Sequence, residues 1–208
     1  MNPDRSLQVK SGDVRLAVNI YGAEQQSTLI LVHGYPDSSA VWTKLLAPLS
    51  QQFRVVTYDV RGAGQSSVPA RTADYALEKL AADFRAVLEA VSPDQPVHLV
   101  AHDWGSIQSW ESVADPQLQT RIKSFTTISG PCFDHMGFWM RDALKSLAPS
   151  ELRAVGGQLI SPWYIWMFQL PWLAPLLWKT LLGKNWHRML ARSQGVIAEP
   201  TATQEKDG

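Results

Sequence analysis

Cysteine is almost absent. Cys132 stands alone in 208 residues, so no disulfide can form within the chain; a reducing, cytoplasmic setting is expected, with Cys132 as a packing residue. Net charge is absent too. Nineteen Lys plus Arg balance nineteen Asp plus Glu, which leaves no overall basic field to draw in nucleic acid or an anionic lipid surface. Met1 to Lys10 contains no apolar run of the kind a secretory signal requires. Long uninterrupted apolar stretches are missing as well. Leu159 to Leu182 is strongly apolar, but Pro162, Pro171 and Pro175 break it and Ser161 and Gln169 add polarity. A spanning helix would leave broken backbone bonds unsatisfied in lipid, so short helices lining an apolar cavity are expected, with membrane contact peripheral at most.

What the chain does have is apolar residues, 45% against 18% charged, the balance of a folded globular protein. It also has nine tryptophans, five of them (Trp163, Trp166, Trp172, Trp178 and Trp186) in its last quarter. Leu7–Lys10 and Val14–Ile20 flank Ser-Gly-Asp and alternate in polarity, as a hairpin with one buried face does. Thr28–Val32, Phe53–Tyr58, Val97–Ala101 and Ile122–Ser129 are short apolar runs expected as strands, the first and third covered on both faces. Between them lie helical patterns. Trp42, Leu45, Leu46 and Leu49 form one stripe, and Leu77, Leu80, Phe84, Val87, Leu88 and Val91 another, behind Thr72 as its N-cap; Ser106–Val113 is a third helix. Strands alternating with helices predict an α/β fold with a mostly parallel, doubly wound sheet. From Cys132 onward the strand signal stops, so residues 1–131 are read as a core and 132–208 as a partial helical cap.

In such a sheet the chemistry gathers at the carboxyl ends of the strands. Ala101-His102-Asp103-Trp104-Gly105 directly follows one strand and directly precedes a helix. A side chain presented on so sharp a turn needs small residues two places before and after it, and Ala101 and Gly105 meet that condition. Asp103 alone would read as a helix N-cap; the strand before it and the companion loops favour a nucleophile elbow. His33-Gly34-Tyr35-Pro36 follows an earlier strand, where the backbone N–H of Tyr35, together with that of Trp104, can form an oxyanion hole. His33, Gly34, Pro36 and Gly105 are assigned structural roles near the site. Asp59-Val-Arg61-Gly62-Ala-Gly64-Gln-Ser66 lacks the G-x-x-x-x-G-K of a phosphate loop. It is read as a structural loop containing Arg61, and no metal or cofactor is expected.

The set HGYP, YDVRGAGQSS and AHDWGS, in this order and spacing, resembles the α/β-hydrolase superfamily, specifically its epoxide hydrolase branch. More narrowly, it resembles the hydrolase half of proteins in which an epoxide-hydrolase-like domain precedes a short-chain dehydrogenase. The resemblance implies that Asp103 attacks an epoxide carbon and forms an ester. An aspartate is already ionised at neutral pH and needs no base for this step. It further implies Tyr164, within Trp-Tyr-Ile-Trp-Met-Phe-Gln, as the donor of a proton to the opening ring, which a neutral phenol can do. The substrate implied is a small apolar epoxide.

The same resemblance places a histidine base and its orienting acid after the cap. His98 lies inside a strand, His102 adjoins the nucleophile, and His135 and His187 fall in the cap region; Ser129 and Gly130 stand where an acid would end the last strand. The chain is therefore expected to be truncated, with an exposed apolar sheet edge at Ile122–Ser129. A haloalkane dehalogenase, which shares His-Asp-Trp-Gly and holds halide on the tryptophan N–H, is the alternative enzyme. A non-catalytic hydrolase remnant that only binds apolar ligands is the alternative outside catalysis.

Overall fold

A computed structural model describes residues 1–160, 170, 173–177 and 179–180. Six strands, β1 (Arg5–Ser11), β2 (Val14–Tyr21), β3 (Thr28–Val32), β4 (Arg54–Tyr58), β5 (Val97–His102) and β6 (Ile122–Ile128), form one sheet in the order β1-β2-β4-β3-β5-β6. The β1–β2 hairpin is antiparallel and joins β4 antiparallel through β2; β4, β3, β5 and β6 run parallel. This is a mixed sheet, parallel where the helices connect the strands.

The strand faces follow from alternation of side chains. Ile30 and Val32 of β3 join a core with Phe84, Val87 and Leu88 of helix α2 (Leu77–Val91). Leu29 and Leu31, pointing the other way, meet Trp42 and Leu46 at helix α1 (Thr43–Ser50). Every residue of β3 and β4 is buried, which is why both read as short continuous runs. His98 is held inside the sheet by a 2.7 Å hydrogen bond to Ser124 Oγ and an edge-on contact with Phe53.

Three local expectations are corrected. Thr72 does not cap α2. Thr72–Tyr75 is a separate 3-10 turn, Ala76 is extended, and α2 starts at Leu77 with no side-chain cap bond. The carbonyl of Asp74, which a continuous helix would offer to an amide four residues on, accepts from Arg61 instead. Leu45 leaves the predicted stripe and is exposed, because a 3-10 turn (Ser39–Trp42) precedes α1 and sets Trp42 and Leu46 on the inner face. The helix expected from Ser106 already begins at Trp104, as α3 (Trp104–Ala114).

Beyond β6 come α4 (Phe133–Ser146), α5 (Pro149–Ile160) and a short helix at Leu173–Leu177. The chain forms two compact units, Met1–Phe138 and Trp139–Gly208. Among the described residues β6 pairs with β5 alone, and none of its seven residues is buried. No described helix is long and apolar enough to cross a membrane.

The loop after β4 is fixed by a buried ion pair. Arg61 Nε and Nη2 donate to the two carboxylate oxygens of Asp83 on α2, both at 2.6 Å, while Nη1 and Nη2 reach the carbonyls of Asp74 and Lys79. Removing one member leaves the other charged and unpaired in the core. Arg61→Met is expected to lower stability by about 3–5 kcal/mol in urea denaturation, and Arg61→Met with Asp83→Leu to recover most of it. Equal losses in the single and double variants would contradict this.

Candidate active site

Strand β5 runs directly into α3, and the joint is Asp103. Its backbone sits at φ 55, ψ −127, a region that a residue with a side chain seldom enters. Holding it there costs on the order of 1–3 kcal/mol, so the surroundings must enforce it. They do so by close approach. A Cβ on Gly105 would lie 2.4 Å from the His33 carbonyl oxygen and 2.6 Å from that of Val32. A Cβ on Gly34 would lie 2.5 Å from both Cβ and Oδ1 of Asp103. Any larger residue at either position would push the β3 loop and the elbow apart.

The carboxylate does not cap its own helix. Asp103 occupies the N-cap position of α3 without a side-chain cap bond. Its Oδ1 instead accepts the Tyr35 backbone N–H across the loop, at 3.1 Å. Among the described residues Oδ2 has no hydrogen-bond partner. Trp104 is the first residue of α3, so its amide belongs to the first turn, where no helical carbonyl is available. Tyr35 and Trp104 also present exposed rings, and Trp104 stands edge-on to Phe133 with ring centroids 6.3 Å apart. Asp103 is thus rimmed by aromatic surface.

His33 is 2% exposed and has both ring nitrogens engaged. The Val60 N–H donates to Nε2 at 2.9 Å, so the proton must be on Nδ1, which donates to the Gly34 carbonyl at 2.8 Å. This neutral imidazole ties the β3 loop to the β4 loop. In the same loop Asp59 accepts the N–H groups of Ser39 and Gln65, each at 2.8 Å. A polar cleft of about 360 Å³ opens there, lined by Tyr21, Ser39, Thr43 and Gln65 among others, and it does not include Asp103.

The structure therefore brings together Asp103, Tyr35, Trp104, Gly34, Gly105 and His33. Pro36 follows Tyr35 through a cis peptide bond. Arg61 points away, to Asp83. Tyr164 lies outside the described residues, as do Trp163, Trp166, Trp172, Trp178 and Trp186. Sequence reasoning missed Asp83, whose signal was a lone acid inside the apolar stripe of α2. It also missed Ser106 and Gly130, which pack against the elbow with no pattern to mark them. No group of three or more His, Cys, Asp or Glu among the described residues is arranged to hold a metal ion.

The alpha/beta hydrolase fold family matches residues 27–161. Probable oxidoreductase EphD of Mycobacterium tuberculosis is 40% identical over 172 residues, 82% of this chain and 29% of that protein. Human Epoxide hydrolase 4 is 25% identical over 167 residues, 80% of this chain and 42% of that protein. The crystal structure of epoxide hydrolase VrEH1 from Vigna radiata superposes with a TM-score of 0.56 and 26% identity, covering 62% of this chain and 38% of that one. The chain spans less than half the length of the curated relatives it matches here.

Burial holds the His33 pKa below its ordinary value, against the opposing pull of the Gly34 carbonyl and of Asp59 and Asp37. A depressed folded pKa means that the unfolded chain binds the proton first. The contribution to stability is present above about pH 6.5, the unfolded value, and is lost as pH falls through the folded pKa. The urea midpoint is expected to drop between about pH 7.5 and 5.5, and His33→Asn, which keeps a donor and an acceptor without titrating, to remove that part of the slope. An unchanged slope in His33→Asn would contradict the assignment.

Proposed function

Because this chain belongs to the α/β-hydrolase fold family, we propose that it carries the alkylation half of an epoxide hydrolase, with Asp103 as nucleophile. The observation that carries the proposal is the carboxylate of Asp103, turned off its own helix and bonded to the Tyr35 N–H across the elbow. In this reading Oδ2 attacks an epoxide carbon. A carbon–oxygen ester bond forms, the ring carbon–oxygen bond breaks with its electron pair on the departing oxygen, and that oxygen takes a proton. Tyr164 is the donor proposed for it. Tyr35 and Trp104 are the proposed oxyanion donors for the ester once water attacks it.

The rim of Tyr35, Trp104 and Phe133 favours an apolar, aromatic or long-chain epoxide over a polar one. Residues 1–131 serve as the catalytic core and 132–208 as a partial cap. The histidines of the described part are already occupied or lie elsewhere: His33 bridges two loops, His98 bonds Ser124, and His135 packs on Trp110. His102 adjoins Asp103 in the chain, with Nδ1 buried and unbonded. The expected outcome is capture without release. A longer parent carrying a dehydrogenase domain belongs to the same proposal, supported by the likeness to a protein named an oxidoreductase of which this chain matches 29%. A cytoplasmic location is proposed on the lone Cys132.

Incubation with styrene oxide, followed by intact and peptide mass spectrometry, is expected to show a single adduct on Asp103 and no diol above the uncatalysed background. Asp103→Ala is expected to abolish the adduct while changing affinity for an apolar ligand less than about twofold. An adduct that persists in Asp103→Ala would overturn the nucleophile. Steady diol production would overturn capture without release. Bromide release from an alkyl bromide in place of epoxide opening would favour a dehalogenase, and ligand binding with neither reaction a non-catalytic remnant.

A further inference from the structure

We propose that Ser106 is the positioning residue that staples the elbow to strand β6 and thereby aims Asp103; the proposal rests on the reading of Asp103 as nucleophile. Ser106 is fully buried in the first turn of α3. Its hydroxyl donates to the carbonyl of Ala101, two residues before Asp103, at 2.5 Å. The same oxygen accepts the N–H of Ile128, the last residue of β6, at 3.2 Å. The Ile128 carbonyl in turn accepts the N–H of Asp103, at 2.9 Å. One hydroxyl thus links the end of β5 to the end of β6, and the nucleophile's own amide closes the ring.

The contact is possible only because Gly130 has no side chain. A Cβ there would lie 2.2 Å from Ser106 Cβ and 2.6 Å from the Asp103 carbonyl oxygen. The Gly130 carbonyl is held down by Trp110 Nε1 at 3.1 Å and Thr127 Oγ1 at 2.8 Å. Ser109, one turn along, shows what an ordinary helical serine does: its hydroxyl bonds the Gly105 carbonyl, within the same helix. Ser106 reaches two strands instead.

Losing the hydroxyl removes the bonds that tie the first turn of α3 to the Ala101 carbonyl and the Ile128 N–H, groups that the β5–β6 pairing of His102 with Ile128 leaves partnered, and frees the elbow to shift against the sheet. The carboxylate then leaves the Tyr35 N–H. In Ser106→Ala the alkylation rate at saturating styrene oxide is expected to fall about 10- to 100-fold, with half-saturation changed less than about twofold. The second readout does not depend on chemistry. The Tyr35 amide resonance in a nitrogen–proton NMR spectrum is expected to move most of the way to its position in Asp103→Ala. Ser106→Cys, which keeps a weak donor and acceptor, should restore part of both effects.

A Tyr35 resonance unmoved in Ser106→Ala overturns the proposal whatever the alkylation rate. A moved resonance in a protein that styrene oxide never alkylates supports the staple and removes the nucleophile reading. Should Ser106→Ala fail to fold, Ser106→Cys is read by the same two measurements, and wild-type values in both would overturn the staple.

Discussion

An aspartate at φ 55 and ψ −127 leaves that conformation as soon as its neighbours allow, because its Cβ crowds the backbone there. Everything of functional interest in this chain depends on its not being allowed. The β3 loop approaches so closely that Gly34 and Gly105 cannot carry a side chain. On the far side the Asp103 N–H is held by the end of β6. The sheet and its two cores are what make those approaches rigid, since β3 and β5, which bear the two loops, are neighbours paired through Val32 and Ala101.

The choice of aspartate matters as much as the bend. A serine in this place would need a histidine to take its proton before it could attack, whereas a carboxylate attacks as it stands. In the proposed reading the capture step needs the anchored carboxylate of Asp103 and a proton for the departing oxygen, for which Tyr164 is the proposed donor. Release of the ester needs a water, a base and an oriented acid. The histidines with both nitrogens or a clear partner accounted for are committed to holding loops and strands together. His33 does this in its neutral form, so burial and function agree in keeping it uncharged.

The strands were legible because their apolar runs are short and bounded by turn residues; Thr28–Val32 coincides with β3. The elbow was legible because sharp turns demand small residues at fixed offsets, and Ala101 and Gly105 stand at those offsets. Features depending on distant partners were hidden. Thr72 looks like a cap until Arg61, from another loop, takes the Asp74 carbonyl and splits turn from helix. Asp83 looks like a misplaced charge until Arg61 meets it. Ser106 is one serine among several in α3, and only the chain path of β6 gives its hydroxyl two strands to bridge. Local chemistry marks positions, while tertiary approach decides what they do.

The most direct test is a crystal structure of the chain after exposure to styrene oxide. The account predicts electron density continuous from Asp103 Oδ2 to a ligand carbon, with φ still positive and the Tyr35 N–H still on Oδ1. A negative φ at Asp103, with its carboxylate bonded to the first amides of α3 as a plain helix cap, would contradict it.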